Sequence, residues 1–211
     1  MYQDVERLLQ LIGEGNPFQK QYIEKMRNEV MERREYENLE FLTEFFCAQE
    51  ISIEQQAEAY LNFIQEIMLE QLYFRRNHSY SEHDYGNLCQ SLYGNNQYMQ
   101  GYHVALAIAE YIWSNHIQVS RWYEKELKSV SLRNTNNYLE VGCGLGMNLL
   151  HTMRVTNIEQ YCCLDLSEKT VQLCKALLNY ANKYRPLNQK KYVIKCADFL
   201  NSQIMECGGG G

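Results

Sequence analysis

The sequence has little proline, two residues in 211, which leaves little room for a rigid proline-rich linker. It lacks a long hydrophobic run: the longest apolar stretch near its middle, Val104 to Ala109, is broken at once by Glu110 and is far too short to span a bilayer. The amino terminus lacks the basic-then-apolar order of a secretory signal. Basic charge is not in excess. The net charge of −6 argues against a nucleic-acid partner, because phosphate neutralisation needs a basic surface. What is present is the balance of a globular chain, 45% hydrophobic and 22% charged, which excludes disordered and collagen-like classes. These features predict a soluble, cytoplasmic protein with no membrane and no nucleic acid among its partners.

The eight cysteines are Cys47, Cys89, Cys143, Cys162, Cys163, Cys174, Cys196 and Cys207. They include no C-x-x-C pair, so zinc-ligand spacing is absent. Several sit in apolar runs, where Cys acts as a small hydrophobe. Reduced thiols and no metal site are expected.

Charge is unevenly spread. Residues 1–130 carry a net −9 and residues 131–211 a net +3. The pattern changes at the same place, which sets a domain boundary near residue 131. The first part reads as all-helical. Asn16-Pro17, with Gln19 behind it, marks a helix start that should run to about Glu37, with another helix to about Ala48. Ser52 with Gln55 is a capping-box pattern, followed by an apolar stripe of Ala57, Tyr60, Leu61, Ile64, Ile67, Met68 and Leu72. A further stripe runs through Tyr98, Tyr102, Ala105, Ile108, Ala109 and Ile112. Between them, Asn77 to Asn96 reads as a loop with a short helix. Tyr80, Tyr85, Tyr93, Tyr98 and Tyr102 can pack or can line a substrate pocket. Tyr98, Tyr102 and His103 are the substrate-contact candidates. His78, His83, His103, His116 and His151 have the chemistry of a general base, and none is assigned that role.

From residue 138 the pattern alternates strand and helix. Tyr138–Val141, Tyr161–Leu164 and Tyr192–Cys196 read as buried parallel strands, separated by helical runs from Met147 and after Ser167. This is half of a doubly wound sheet, with ligands expected at the carboxyl ends of its strands. Glu140-Val-Gly142-Cys-Gly144-Leu-Gly146 carries the most information. The glycines allow a sharp turn and a close ligand, and the following helix offers free N–H groups. The spacing is G-x-G-x-G, with Met147 where a dinucleotide motif would have its third glycine. Glu140, ahead of the first glycine, repels a pyrophosphate and suits a cationic amino group. Asp165 ends the second strand, where a carboxylate reaches ribose hydroxyls.

With these motifs, and Asp198 in Cys196-Ala-Asp-Phe199, the segment 136–200 resembles the class I S-adenosylmethionine-dependent methyltransferases. The resemblance implies an α/β fold: a Rossmann-like class I methyltransferase sheet with only its first half present, preceded by an all-helical segment. It implies S-adenosylmethionine as cofactor and methyl transfer to a small-molecule acceptor, by O- or N-methylation. By position, Gly142, Cys143, Gly144 and Gly146 wrap the methionine part, and Glu140 orients its amino group. Asp165 holds the ribose, Asp198 contacts the adenine amino group, and Leu166 and Phe199 flank the adenine. The helical part, 1–130, would serve as a substrate cap or a dimerisation domain.

The family's sheet has seven strands, and this sequence supplies three before residues 201–207; a glycine tail, 208–211, follows. The expectation is the amino-terminal part of a longer methyltransferase, with a homodimer or a missing C-terminal half to complete it. Two other readings stay open. One is a truncated, non-catalytic cofactor-binding or helical interaction protein. The other is an NAD-dependent oxidoreductase, against which Met147 and Glu140 both weigh.

Overall fold

Asn16 accepts hydrogen bonds from the main-chain N–H groups of Phe18 and Gln19 at 3.0 and 3.3 Å, so the N-cap legible in Asn16-Pro17 starts a helix as expected. The computed structural model describes residues 2–81, 95–130, 137–184, 186–187 and 190–200. Its described helices before the sheet are α1 (Gln3–Gly15), α2 (Pro17–Glu29), α3 (Arg33–Ala48), α4 (Ile53–Asn77), α5 (Asn96–Ile112) and α6 (Ser114–Val130). The α/β portion follows as β1 (Asn137–Val141), α7 (Met147–Val155), β2 (Gln160–Asp165), α8 (Glu168–Tyr184) and β3 (Lys191–Cys196). The chain is mostly helical with one small parallel sheet.

The chain divides into two compact units. One comprises Met1–Gln90 with Gly101–Ser120, and the other Ser91–Gln100 with Arg121–Gly211. The division passes through α5 and α6 rather than through the segment near residue 131.

In the helical unit, Val5, Leu8, Leu9 and Ile12 of α1, Leu39, Phe45 and Phe46 of α3, and Ala57 and Tyr60 of α4 are buried together in the core. Two features differ from the sequence reading. Helix α1 was not anticipated, although its Val5, Leu8, Leu9 and Ile12 keep helical spacing. The boundary between two helices, expected near Glu37, lies instead at residues 30–32, between α2 and α3. The chain breaks after Glu29, and the Glu35 carboxylate accepts from the Glu32 N–H at 2.8 Å, which satisfies a donor at the start of a new helix. The capping box of α4 is formed in both directions: Gln55 N–H donates to Ser52 Oγ at 3.3 Å, and Ser52 N–H to Gln55 Oε1 at 2.8 Å. Its apolar stripe is buried only over the first half. Ala57, Tyr60 and Ile64 are in the core, whereas Met68 and Leu72 are exposed. The loop expected between Asn77 and Asn96, with Tyr85, His83 and Tyr93, lies largely outside the described residues.

In the α/β unit the strand order is β1-β2-β3, all parallel, with Tyr138 opposite Tyr161 and Tyr161 opposite Tyr192. Side chains alternate between the two faces of a strand. Tyr138, Glu140, Tyr161, Cys163 and Ile194 therefore share one face. This face meets helices: Tyr161 OH donates to Ile158 O at 2.9 Å and lies 3.2 Å from Thr156 Oγ1 beyond α7. The inner face of α8, Val171, Cys174, Leu177, Leu178 and Ala181, is buried as the periodicity predicts. On the opposite face Leu139, Val141 and Val193 are exposed. Cys162 belongs to this second face and is disulfide-bonded, which corrects the expectation that all eight thiols are reduced. Cys47, Cys143, Cys163, Cys174 and Cys196 are free thiols; Cys89 and Cys207 lie outside the described residues. No helix among the described residues is long and apolar enough to cross a membrane.

Candidate functional site at the carboxyl ends of the strands

All three glycines after β1 have positive φ: +71° at Gly142, +53° at Gly144 and +85° at Gly146. Side chains with a Cβ rarely adopt this region. At Gly146 there is a second constraint, because an added Cβ would lie 2.4 Å from Cys174 Sγ. At Gly142 an added Cβ would meet nothing within 4 Å, so the space beside it is open. The turn is tied down by its own main chain. Gly142 and Cys143 N–H both donate to Leu164 O, at 2.8 and 3.2 Å, and Gly146 N–H donates to Cys143 O at 2.9 Å. Gly146 then caps α7.

Cys143 is buried. Its thiol lies beside those of Cys163 and Cys174. The contact with Cys143, reinforced by burial, pushes both partner thiols well above the usual range, and both are protonated at neutral pH. Among the described residues no group of three or more His, Cys, Asp or Glu is arranged to hold a metal ion.

Asp165 ends β2 beside the turn. Its Oδ2 accepts from Gly144 N–H at 3.0 Å and its Oδ1 from Ser167 N–H at 3.0 Å. A carboxylate has about four acceptor positions, so both oxygens keep room for further donors. Burial raises its pKa, and the N–H groups of Ser167 and Gly144 oppose that shift. Ser167 caps α8 by accepting from Thr170 N–H at 3.3 Å. Asp165 thus braces the glycine turn and the start of α8 at once.

On the neighbouring strand, Ala197 N–H donates to Asp165 O at 2.9 Å, which sets Asp198 just beyond the end of β3. Asp198 Oδ1 accepts from Leu200 N–H at 2.9 Å. Leu166 and Phe199 follow β2 and β3 with 39% and 41% of their surface exposed. Exposed apolar side chains at the carboxyl ends of strands suit contact with a flat apolar ligand. The structure therefore brings Glu140, the glycine turn, Asp165, Leu166, Asp198 and Phe199 to one end of one sheet.

Glu140, the last partly buried residue of β1, is enclosed by polar side chains that the sequence reading did not single out. Tyr138 OH lies 3.0 Å from Glu140 Oε2, and Tyr123 OH of α6 lies 3.1 Å from Tyr138 OH. Tyr123 OH also lies 2.8 Å from Thr152 Oγ1, which donates to Asn148 O at 2.7 Å. The Asn148 side chain hydrogen-bonds Glu140 as well. Burial pushes Glu140 up to about 7, against the opposing pull of its Tyr138 and Asn148 hydrogen bonds. Tyr138 had a legible signal, since residues two apart on a strand share a face. Tyr123 had none.

Among the substrate-contact candidates, Tyr98 falls in the α/β unit, and Tyr102 and His103 fall in the helical unit. Tyr102 packs edge-on against Phe63 at 5.7 Å and against His103 at 5.6 Å, and His103 is buried. His78 is the left-handed C-cap of α4, and His116 Nδ1 lies 3.3 Å from Glu110 Oε2. His151 is on α7, and His83 lies outside the described residues. No family model matches the chain, and no curated protein matches it.

Proposed function

We propose that this chain binds S-adenosylmethionine at the carboxyl ends of β1, β2 and β3 and transfers its methyl group to a small-molecule acceptor. On this reading, the sheet is the first half of a Rossmann-like class I methyltransferase sheet. The observation that carries the proposal is the convergence at one sheet end: a carboxyl group, Glu140, before three positive-φ glycines, with Asp165 and Asp198 closing the next two strands. The residues fit the cofactor. The space beside Gly142 is open, Asp165 keeps acceptor capacity for two ribose hydroxyls, and Leu166 and Phe199 offer apolar surface to an adenine. A cationic amino group finds its counter-charge in Glu140.

When bound, the cofactor supplies an electrophilic methyl group on a sulfonium. The chain's own part is positioning, which accounts for much of the rate of an in-line displacement. Glu140 holds the amino end, the glycine turn shapes the path of the methionine part, Asp165 fixes the ribose, and Asp198 reads the adenine amino group.

Calorimetric titration of the 211-residue chain with S-adenosylhomocysteine, and separately with NADH, tests the proposal. The expected result is binding of S-adenosylhomocysteine alone, weakened roughly 10–100-fold by Asp165→Ala, the worth of one or two hydrogen bonds to a charged acceptor. Tight NADH binding, or S-adenosylhomocysteine binding indifferent to Asp165→Ala, overturns it. A methyl-transfer assay then separates an enzyme from a binder.

A further inference from the structure

Four oxygen-to-oxygen contacts run in series from the Glu140 carboxyl to the main chain of α7. They are Glu140 Oε2 to Tyr138 OH (3.0 Å), Tyr138 OH to Tyr123 OH (3.1 Å), Tyr123 OH to Thr152 Oγ1 (2.8 Å) and Thr152 Oγ1 to Asn148 O (2.7 Å). At such separations each contact needs one hydrogen between its two oxygens. Tyr138, Tyr123 and Thr152 contribute one hydrogen each, and a peptide carbonyl contributes none. With Glu140 ionised, four contacts share three hydrogens, and one pair of oxygens meets lone pair to lone pair. With Glu140 protonated, the fourth hydrogen is present. Every contact is then satisfied, with all donors pointing from Glu140 towards Asn148.

We propose that Glu140, Tyr138, Tyr123 and Thr152 form a reversible proton switch: in mildly acidic solution Glu140 is neutral in the free protein and gives up one proton to solvent when a ligand's ammonium group binds beside it. On ionisation the three hydroxyls turn round. Thr152 leaves Asn148 O and donates to Tyr123, Tyr123 donates to Tyr138, and Tyr138 donates to Glu140. No bond between heavy atoms changes, and the single proton lost goes to water. The ligand half of the switch rests on the reading of Glu140 as partner of the cofactor's amino group; the proton count in the free protein does not.

The groups that face Glu140 are Tyr138 on its own strand, Tyr123 on α6, Cys143 in the turn, Asn148 and Thr152 on α7, Cys163 on β2 and Cys174 on α8. None of them is a cation, so the ligand supplies the positive charge that these neighbours do not. Burial acts in the same direction as the proton count, raising Glu140 to about 7. Tyr138, Tyr123 and Thr152 are thus positioning residues that set when Glu140 can receive a cationic ligand.

Infrared difference spectra of the ligand-free chain, wild type against Glu140→Gln, read the switch directly. The protonated-carboxyl band should persist to near neutral pH and disappear with a midpoint near 7. Tyr123→Phe leaves two contacts and two hydrogens to serve them, so ionisation strands nothing, and the midpoint should fall by roughly one to two pH units. Thr152→Val shortens the chain to the same balance and should act alike, which guards against one variant failing to fold. A carboxylate ionised throughout, or a midpoint indifferent to both variants, overturns the switch. For the ligand half, titration with S-adenosylhomocysteine near pH 6, in two buffers of different ionisation enthalpy, should show about one proton released per ligand. Glu140→Gln should show none. Binding without proton release overturns the coupling. Failure to bind at any pH overturns the cofactor reading, while the infrared midpoint still decides the switch.

Discussion

Gly146 is held by two constraints that can be separated by substitution. Its φ of +85° disfavours any Cβ, and that Cβ would also lie 2.4 Å from Cys174 Sγ. Gly142 has only the first constraint, φ +71° with open space around it. Gly142→Ala should therefore cost about 1–2 kcal/mol in chemical denaturation, the left-handed penalty alone. Gly146→Ala should cost about 2–4 kcal/mol, because a buried sulfur must also move. Adding Cys174→Ala to Gly146→Ala should recover part of the excess, and the pair should couple by about 1 kcal/mol in a double-mutant cycle. Strict additivity would mean that the clash is relieved elsewhere. Asp165 works at the same scale with two duties. Its carboxylate braces Gly144 and Ser167 while still having acceptor positions to offer. Asp165→Asn should thus weaken S-adenosylhomocysteine more than it lowers stability.

Among the elements, α4 shows how local chemistry and tertiary contacts divide the work. Its start is set by the reciprocal Ser52–Gln55 cap, and Ser52→Ala should cost about 1 kcal/mol of stability. Its middle is fixed by Tyr60, fully buried, whose OH accepts from Trp113 Nε1 at 2.8 Å and donates to Gln19 Oε1 at 2.9 Å. Tyr60→Phe strands a donor and an acceptor on two other segments and should cost about 2–3 kcal/mol; a loss below that of Ser52→Ala would contradict this account. The difference between the two contacts marks what the sequence makes legible. The Ser52 cap, the Asn16-Pro17 start, the glycine turn and the strand ends at Asp165 and Asp198 are written in residues at most a few positions apart. The break after Glu29 is not, because it depends on a carboxylate closing back on Glu32. Nor are the Tyr123–Tyr138 contact or the Cys143–Cys163–Cys174 cluster, each of which joins elements separated in the chain. The glycine turn and its flanking carboxylates were legible; the polar shell around Glu140 was not. The apolar second half of α4 illustrates the reverse. Met68 and Leu72 keep the period of a buried stripe yet are exposed, since periodicity records a face and not what covers it.

For the molecule as a whole, the proposed ligand site makes Glu140 the group that would link ligand, pH and stability. Its carboxyl pKa is raised in the folded chain, so its share of stability is fully present below the ordinary value of 4.5 and is lost as pH rises through about 7. The full shift corresponds to about 3 kcal/mol. A ligand ammonium beside the carboxylate restores what ionisation removes. S-adenosylhomocysteine affinity should therefore climb by up to about tenfold per pH unit below the midpoint and level off above it. The stabilisation that saturating ligand confers should grow in step. Thermal unfolding with and without the ligand, from about pH 5.5 to 8, reads this as a widening gap between the two melting curves. The other carboxylates titrate in both curves and cancel in the difference. Glu140→Gln should keep the gap constant, and it should make the ligand-free chain more stable than wild type at the alkaline end only. A gap that narrows as pH rises would mean that Glu140 is not the group that meets the ligand's charge.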